Sequence, residues 1–170
     1  ERVDDHRLRV VLYHIPQVAG VGIPVSLAAR LHAEFPEVVV AIKDSSGDWS
    51  NTEALFDIDG LTVYPGAELP LLDALDLGGP GCITATANVN AGPVAEVIRL
   101  HGSGGRQAAE TAMVDVRAYR LVMQEYPAIP TMKRLLALRL DDSTWATVRP
   151  PFLPADEATG TRLEERLDAL

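Results

Sequence analysis

Residues 38–48 read Val38-Val39-Val40-Ala41-Ile42-Lys43-Asp44-Ser45-Ser46-Gly47-Asp48. Five consecutive apolar residues, mostly β-branched, predict a strand buried on both faces. That is the pattern of a parallel sheet rather than of a half-solvated antiparallel one. The strand ends on a lysine and passes into a turn-rich loop. Ser50-Asn51-Thr52-Glu53 then has the spacing of a capping box, which predicts a helix to about Phe56. Strand, polar loop and capped helix make one βα unit.

The unit recurs on both sides. Upstream, residues 8–13 (LRVVLY) predict a strand that Ile15-Pro16 breaks, and residues 26–35 have helical spacing through Leu27, Leu31 and Phe35 before Pro36. Downstream, a strand is predicted at 61–64, a helix at 68–77, a tight turn at Gly78-Gly79-Pro80-Gly81, a fourth strand at 82–85 and a helix at 93–101. Four consecutive βα units mean a parallel sheet with right-handed crossovers. Beyond the loop at 102–105 (GSGG) the pattern is helical only, at 106–125, 131–139 and 156–169, with an extended connector at 149–154. The expected organisation is therefore βα units over 1–103 and a helical extension over 104–170.

Two architectures suit four such units: a small open α/β sheet, or half of an eightfold βα barrel. With 170 residues the chain is too short for a whole barrel, which typically takes about 250. Glu1 rather than Met opens it, so a gene product that starts upstream is expected. Nucleotide-binding versions of the open sheet carry Gly-x-Gly-x-x-Gly after the first strand or a Walker loop, and neither pattern occurs; Gly20–Gly22 lacks the third glycine.

Composition narrows the function. The net charge of −9 disfavours nucleic acid and anionic membrane surfaces as partners. No apolar run approaches the roughly 18–20 residues of a membrane span, and no signal-peptide pattern opens the sequence. A single cysteine, Cys82, fits a reducing, cytoplasmic setting and is expected to be a small core residue. Residues 44–96 contain nine acids and no Lys, Arg or His, so this stretch offers an anionic substrate no side-chain cation. Thirteen arginines stand against two lysines, Lys43 and Lys133. Lys133, beside Arg134 in a predicted helix, reads as a surface charge.

Lys43 is different. It ends the second strand of the chain as Tyr13 ends the first, and in parallel α/β folds the C-terminal strand ends face the active site. Burial beneath residues 38–42 favours the neutral amine, a nucleophile that arginine cannot supply, although nearby carboxylates oppose that effect. The Tyr13 phenol is the matching proton relay. The competing reading has Lys43 snorkelling to solvent and the Tyr13 hydroxyl bonded to backbone. Other patterns are weaker. Asp44, Ser46 and Asp48 resemble the start of a calcium loop, but Leu55 stands where its bidentate Glu belongs. His14, Ser45 and Asp44 lack a nucleophile elbow. His6, His14, His32 and His101 lack metal-ligand spacing, and His14 reads as a loop hydrogen-bonder.

Tyr13-His14-Ile15-Pro16, then Ile42-Lys43-Asp44-Ser45-Ser46-Gly47-Asp48, then Gly78-Gly79-Pro80-Gly81-Cys82-Ile83-Thr84 with Ala87-Asn88-Val89, resemble the dihydrodipicolinate synthase / N-acetylneuraminate lyase family. The likeness runs in order along nearly the whole chain. It implies a class I, Schiff-base lyase or aldolase on a (β/α)8 barrel with C-terminal helices, of which this chain is the C-terminal half: strands five to eight plus the helical tail. By the resemblance, Lys43 forms an imine with pyruvate or another 2-oxo acid and Tyr13 shuttles protons. Ser45 touches substrate, Gly66 and Glu68 stand where the lyases bind substrate hydroxyls, and the Ile83 backbone carbonyl faces the adduct. No metal and no cofactor are expected, and the protein is expected to be a homo-oligomer, a tetramer or dimer.

The departures carry information too. His14 replaces a common Asn. Gln17-Val18-Ala19 lacks the Arg that the synthases place after the Pro, which points away from lysine biosynthesis. Leu69 replaces the second acid of sialic acid lyases. A hydroxylated 2-oxo acid, such as a 2-keto-3-deoxy sugar acid undergoing cleavage or dehydration, stays open. The resemblance places the carboxylate clamp and a second tyrosine in strands one to four, so these residues alone are expected to be inactive. A non-catalytic α/β interaction module, with Lys43 merely structural, is the alternative from another class.

Overall fold

The structure, a computed structural model, describes residue 5 and residues 7–170. His6 therefore lies outside the described residues. The chain forms two compact units, one ending at Thr84 and the other spanning Ala85–Leu170.

The first unit is built on a parallel sheet in the order β1-β2-β3, with β1 at Val10–His14, β2 at Val39–Asp44 and β3 at Thr62–Pro65. The register sets Tyr13 opposite Lys43 and Lys43 opposite Tyr64. The central strand is the one the apolar run predicts: Val39, Ala41 and Ile42 are buried, and burial of Ile42 alone is worth about 1.5–3 kcal/mol. Helices α1 (Pro16–Ala19), α2 (Val25–Glu34), α3 (Trp49–Leu55) and α4 (Leu71–Asp76) follow the strands. Ala28 of α2 and Leu55 of α3 pack with Ile42, Leu61 and Val63 in one core, walled by Leu12, Ile23 and Phe56.

Three local expectations are corrected here. Pro16 does not simply break the chain; it opens α1 at a first-turn position, where its missing N–H costs nothing, and Gly20 closes the helix at φ 72°. The cap of α3 is Asp48 rather than Ser50: the Ser50 N–H donates to Asp48 Oδ1 at 3.0 Å. Residues 82–85 are not a strand. Their tie to β3 is the Ile83 N–H, which donates to the Pro65 carbonyl at 3.0 Å. A parallel bridge needs a second, slanted bond: Pro65 has no N–H to reach the Gly81 carbonyl, and among the described residues the Ala67 N–H does not bond the Ile83 carbonyl.

The second unit is helical: α5 (Ala87–Gly104), α6 (Arg106–Met123), α7 (Ala128–Arg139) and α8 (Glu157–Asp168), with a 3-10 turn at Ser143–Ala146. Helix α5 starts before the predicted residue 93 and absorbs the expected 102–105 loop up to Gly104; Gly105 stops it at φ 74°. It kinks at Asn90, because Pro93 cannot donate to Val89. The freed Val89 carbonyl instead accepts from Arg139 Nη1 at 3.2 Å and Tyr119 Oη at 3.4 Å. Val122, Met123, Met132, Leu135, Leu163 and Leu167 form the core. Lys133 sits half-buried with its Nζ 5.6 Å from the Trp145 ring centroid. Among the described residues no helix is long and apolar enough to cross a membrane.

Candidate active site

The C-terminal ends of the strands are stitched together by one row of backbone bonds in the first unit. The Ser45 N–H donates to the His14 carbonyl at 2.8 Å, the Gly66 N–H to the Asp44 carbonyl at 2.6 Å, and the Ile83 N–H to the Pro65 carbonyl at 3.0 Å. The candidate residues singled out in the sequence lie on or beside this row.

Lys43 and Tyr13 meet there. Because β1 and β2 pair in register at these two positions, the side chains share one face, and Lys43 Nζ donates to Tyr13 Oη at 3.0 Å. The ammonium also lies 4.1 Å from the ring centroid. The hydrogen bond from Lys43 is the main reason the Tyr13 phenol is more acidic than usual; partial burial opposes it, while the Ser45 hydroxyl and the Lys43 charge add to it. Tyr13 is 47% exposed, so the pair opens outward. An amine with a proton-accepting phenol in contact is equipped for carbonyl addition followed by dehydration.

Ser45 is held from two sides: its N–H is in the row and its carbonyl accepts from Gln17 Nε2 at 2.7 Å. Gly66 presses on it: a Cβ at Gly66 would fall on Ser45 Oγ and lie 2.8 Å from Ser45 Cα. Only glycine lets β3 come this close. Behind the site, buried Asp44 accepts from the Ser46 N–H at 2.8 Å, Asn51 Nδ2 at 2.9 Å and Thr52 Oγ1 at 2.7 Å. Burial pushes the Asp44 carboxyl up, but these donors outweigh it and leave it below its ordinary value.

The remaining expected residues sit further along the row. Ile83 is exposed and takes its place through its backbone. Glu68 is 1% exposed, and its Oε2 accepts from Thr84 Oγ1 at 2.9 Å. Neither Thr84 nor Gln17 stands out in the sequence: a Thr in an apolar strand reads as a β-former, and only the folded chain shows that its hydroxyl has a carboxylate to meet.

The lesser patterns resolve locally. The carboxylates of the calcium-like loop are spent on internal donors, with Asp44 as above and Asp48 capping α3. His14 Nδ1 accepts from the Ile23 N–H at 2.8 Å, the loop bond expected of it. Cys82 is half-buried rather than a core residue. No group of three or more His, Cys, Asp or Glu is placed to hold a metal among the described residues.

The sequence profile of the dihydrodipicolinate synthetase family matches residues 3–170. A 4-hydroxy-tetrahydrodipicolinate synthase of Sorangium cellulosum is 34% identical over 167 residues, which is 95% of this chain and 53% of the relative. The crystal structure of dihydrodipicolinate synthase from Agrobacterium tumefaciens superposes with a TM-score of 0.79 at 30% identity, covering 96% of this chain and 54% of that one. YagE, a prophage protein of the same family from E. coli K12 solved in complex with pyruvate, shares the fold with a TM-score of 0.83 at 22% identity, covering 95% and 55% of the two chains. The chain thus spans about half the length of the curated relatives it matches.

Proposed function

Because the chain belongs to the dihydrodipicolinate synthetase family, we propose that its residues supply the reacting half of a Schiff-base lyase or aldolase acting on pyruvate or a related 2-oxo acid. The observation that carries this reading is the 3.0 Å contact of Lys43 Nζ with Tyr13 Oη at adjoining strand ends. The amine adds to the C2 carbonyl, one water leaves, and the protonated imine on Lys43 becomes an electron sink for C–C or C–O bond making or breaking. Tyr13 moves the protons and Ser45 keeps its phenol in place. Gly66 gives the substrate room by its missing side chain, and Ile83 presents backbone. No step calls for a metal or a cofactor.

These residues are read as strands five to eight of an eightfold βα barrel, with residues 1–103 as the βα units and 104–170 as the helical extension of a homo-oligomeric, cytoplasmic enzyme. For the second substrate, α1 and the turn after it (residues 16–22) carry no cation, and Val18 there is 76% exposed. That favours a hydroxylated 2-oxo acid over an aldehyde held by its carboxylate.

Borohydride reduction of the full-length gene product in the presence of pyruvate tests the reading. The hydride reduces the imine to a secondary amine, and the Lys43 peptide is expected to gain the reduced pyruvyl mass. An unmodified Lys43 peptide under saturating pyruvate overturns the proposal.

A further inference from the structure

The row of strand ends is unevenly secured. Ser45 and Gly66 sit at the ends of laddered strands, but Ile83 belongs to a segment with no ladder, tied to β3 by its own N–H on the Pro65 carbonyl. Within it Ile83 is exposed and Thr84 is buried. Its inward residue Thr84 donates from Oγ1 to Glu68 Oε2 at 2.9 Å, and both side chains are buried. Glu68 is itself fixed at the start of α4, where its carbonyl accepts the Leu71 N–H at 2.9 Å. It follows Gly66 by two residues, so the element that presses on Ser45 also grips Thr84.

We propose that Glu68 is a positioning residue: through Thr84 it holds the Ile83 backbone in the row of strand ends that carries Tyr13, Lys43 and Ser45, rather than binding substrate itself. The placement follows from the bonds above. Its catalytic consequence rests on the Schiff-base reading of Lys43. A carboxylate this deeply buried takes up its hydroxyl donor firmly, since an unmet buried acceptor is costly. Losing the tie loosens the segment on which the Ile83 N–H meets the Pro65 carbonyl.

Two measurements on the full-length gene product separate this inference from the reading beneath it. The first is hydrogen–deuterium exchange of the Ile83 amide, which needs no activity. Thr84→Val and Glu68→Ala are each expected to speed that exchange about tenfold, the size set by one buried hydrogen bond. Glu68→Gln and Thr84→Ser, which keep an acceptor and a donor, stay near the parent, and the double variant is no faster than either single one. The second is exchange of the pyruvate C3 protons with deuterated solvent and no second substrate present. There Thr84→Val and Glu68→Ala are expected to lower kcat about tenfold while KM for pyruvate changes little. A residue that only binds hydroxyls of a longer substrate leaves that half-reaction untouched. An Ile83 amide unaffected by Thr84→Val, or Glu68→Gln behaving as Glu68→Ala, overturns the inference even when borohydride labels Lys43. If Lys43 fails to label, the Schiff-base reading falls and the amide data alone decide the placement. Thr84→Ala serves the same purpose should Thr84→Val not fold.

Discussion

At the residue scale, the site is a matter of who donates to whom. Lys43 donates to Tyr13, and the phenol is held below its ordinary value chiefly by that bond. Lys43→Ala is expected to return the Tyr13 phenol upward, read as the ultraviolet titration difference between the variant with and without a further Tyr13→Phe change. Tyr13→Phe alone should lower kcat by about 10²–10⁴, the range for a positioned proton-transfer group, while borohydride trapping on Lys43 persists at a slower rate. Asp44 works through the backbone. Its depressed carboxyl means the charged form is favoured in the folded state. Its contribution to stability is therefore complete above its ordinary value of 3.8 and is lost as pH falls below that through the lowered folded value. Asp44→Asn should flatten this acid limb in melts followed against pH. Lys43 and Tyr13 are legible in the sequence because each ends an apolar strand. Glu68 is legible only as a carboxylate, since its inward turn depends on Thr84, sixteen positions away.

At the element scale, the helices and strands are stabilised by local chemistry that the sequence shows unevenly. The apolar run at 38–42 announces β2, and the connection of strand to helix follows. The capping box is displaced by two residues because Asp48 offers a carboxylate where Ser50 offers a hydroxyl. Asp48→Ala should cost about 1 kcal/mol by thermal or denaturant unfolding, the usual loss for a helix N-cap. In the helical unit, Gly160 of α8 faces α7 closely: a Cβ there would lie 2.5 Å from Arg134 Cγ and 2.9 Å from Leu138 Cδ1. Gly160→Ala should destabilise by about 1–3 kcal/mol through overpacking, despite its better helix propensity. The strand predicted at 82–85 is the instructive failure. Its one backbone tie to β3 is the Ile83 N–H on the Pro65 carbonyl, and among the described residues neither of the bonds that could complete a parallel bridge is made: Pro65 has no N–H, and the Ala67 N–H does not reach the Ile83 carbonyl.

At the scale of the molecule, β1 forms an outer edge of the sheet, and its alternate residues Val11 and Tyr13 are exposed. An edge left unpaired among the described residues, beside exposed apolar side chains, invites association. Expressed as these 170 residues, the protein should self-associate in sizing experiments and lack turnover; a soluble, active monomer would refute this. Periodicity and residue chemistry are local properties read along one dimension, and they suffice for the parallel βα order, the change to helices, the family likeness and the choice of Lys43 and Tyr13 as candidates. The tertiary structure alone decided that Lys43 touches Tyr13, that Gly66 must be bare to admit Ser45, and that Glu68 turns inward to Thr84. Those facts depend on register between strands and on which segments come to lie side by side, and neither is written at any single position.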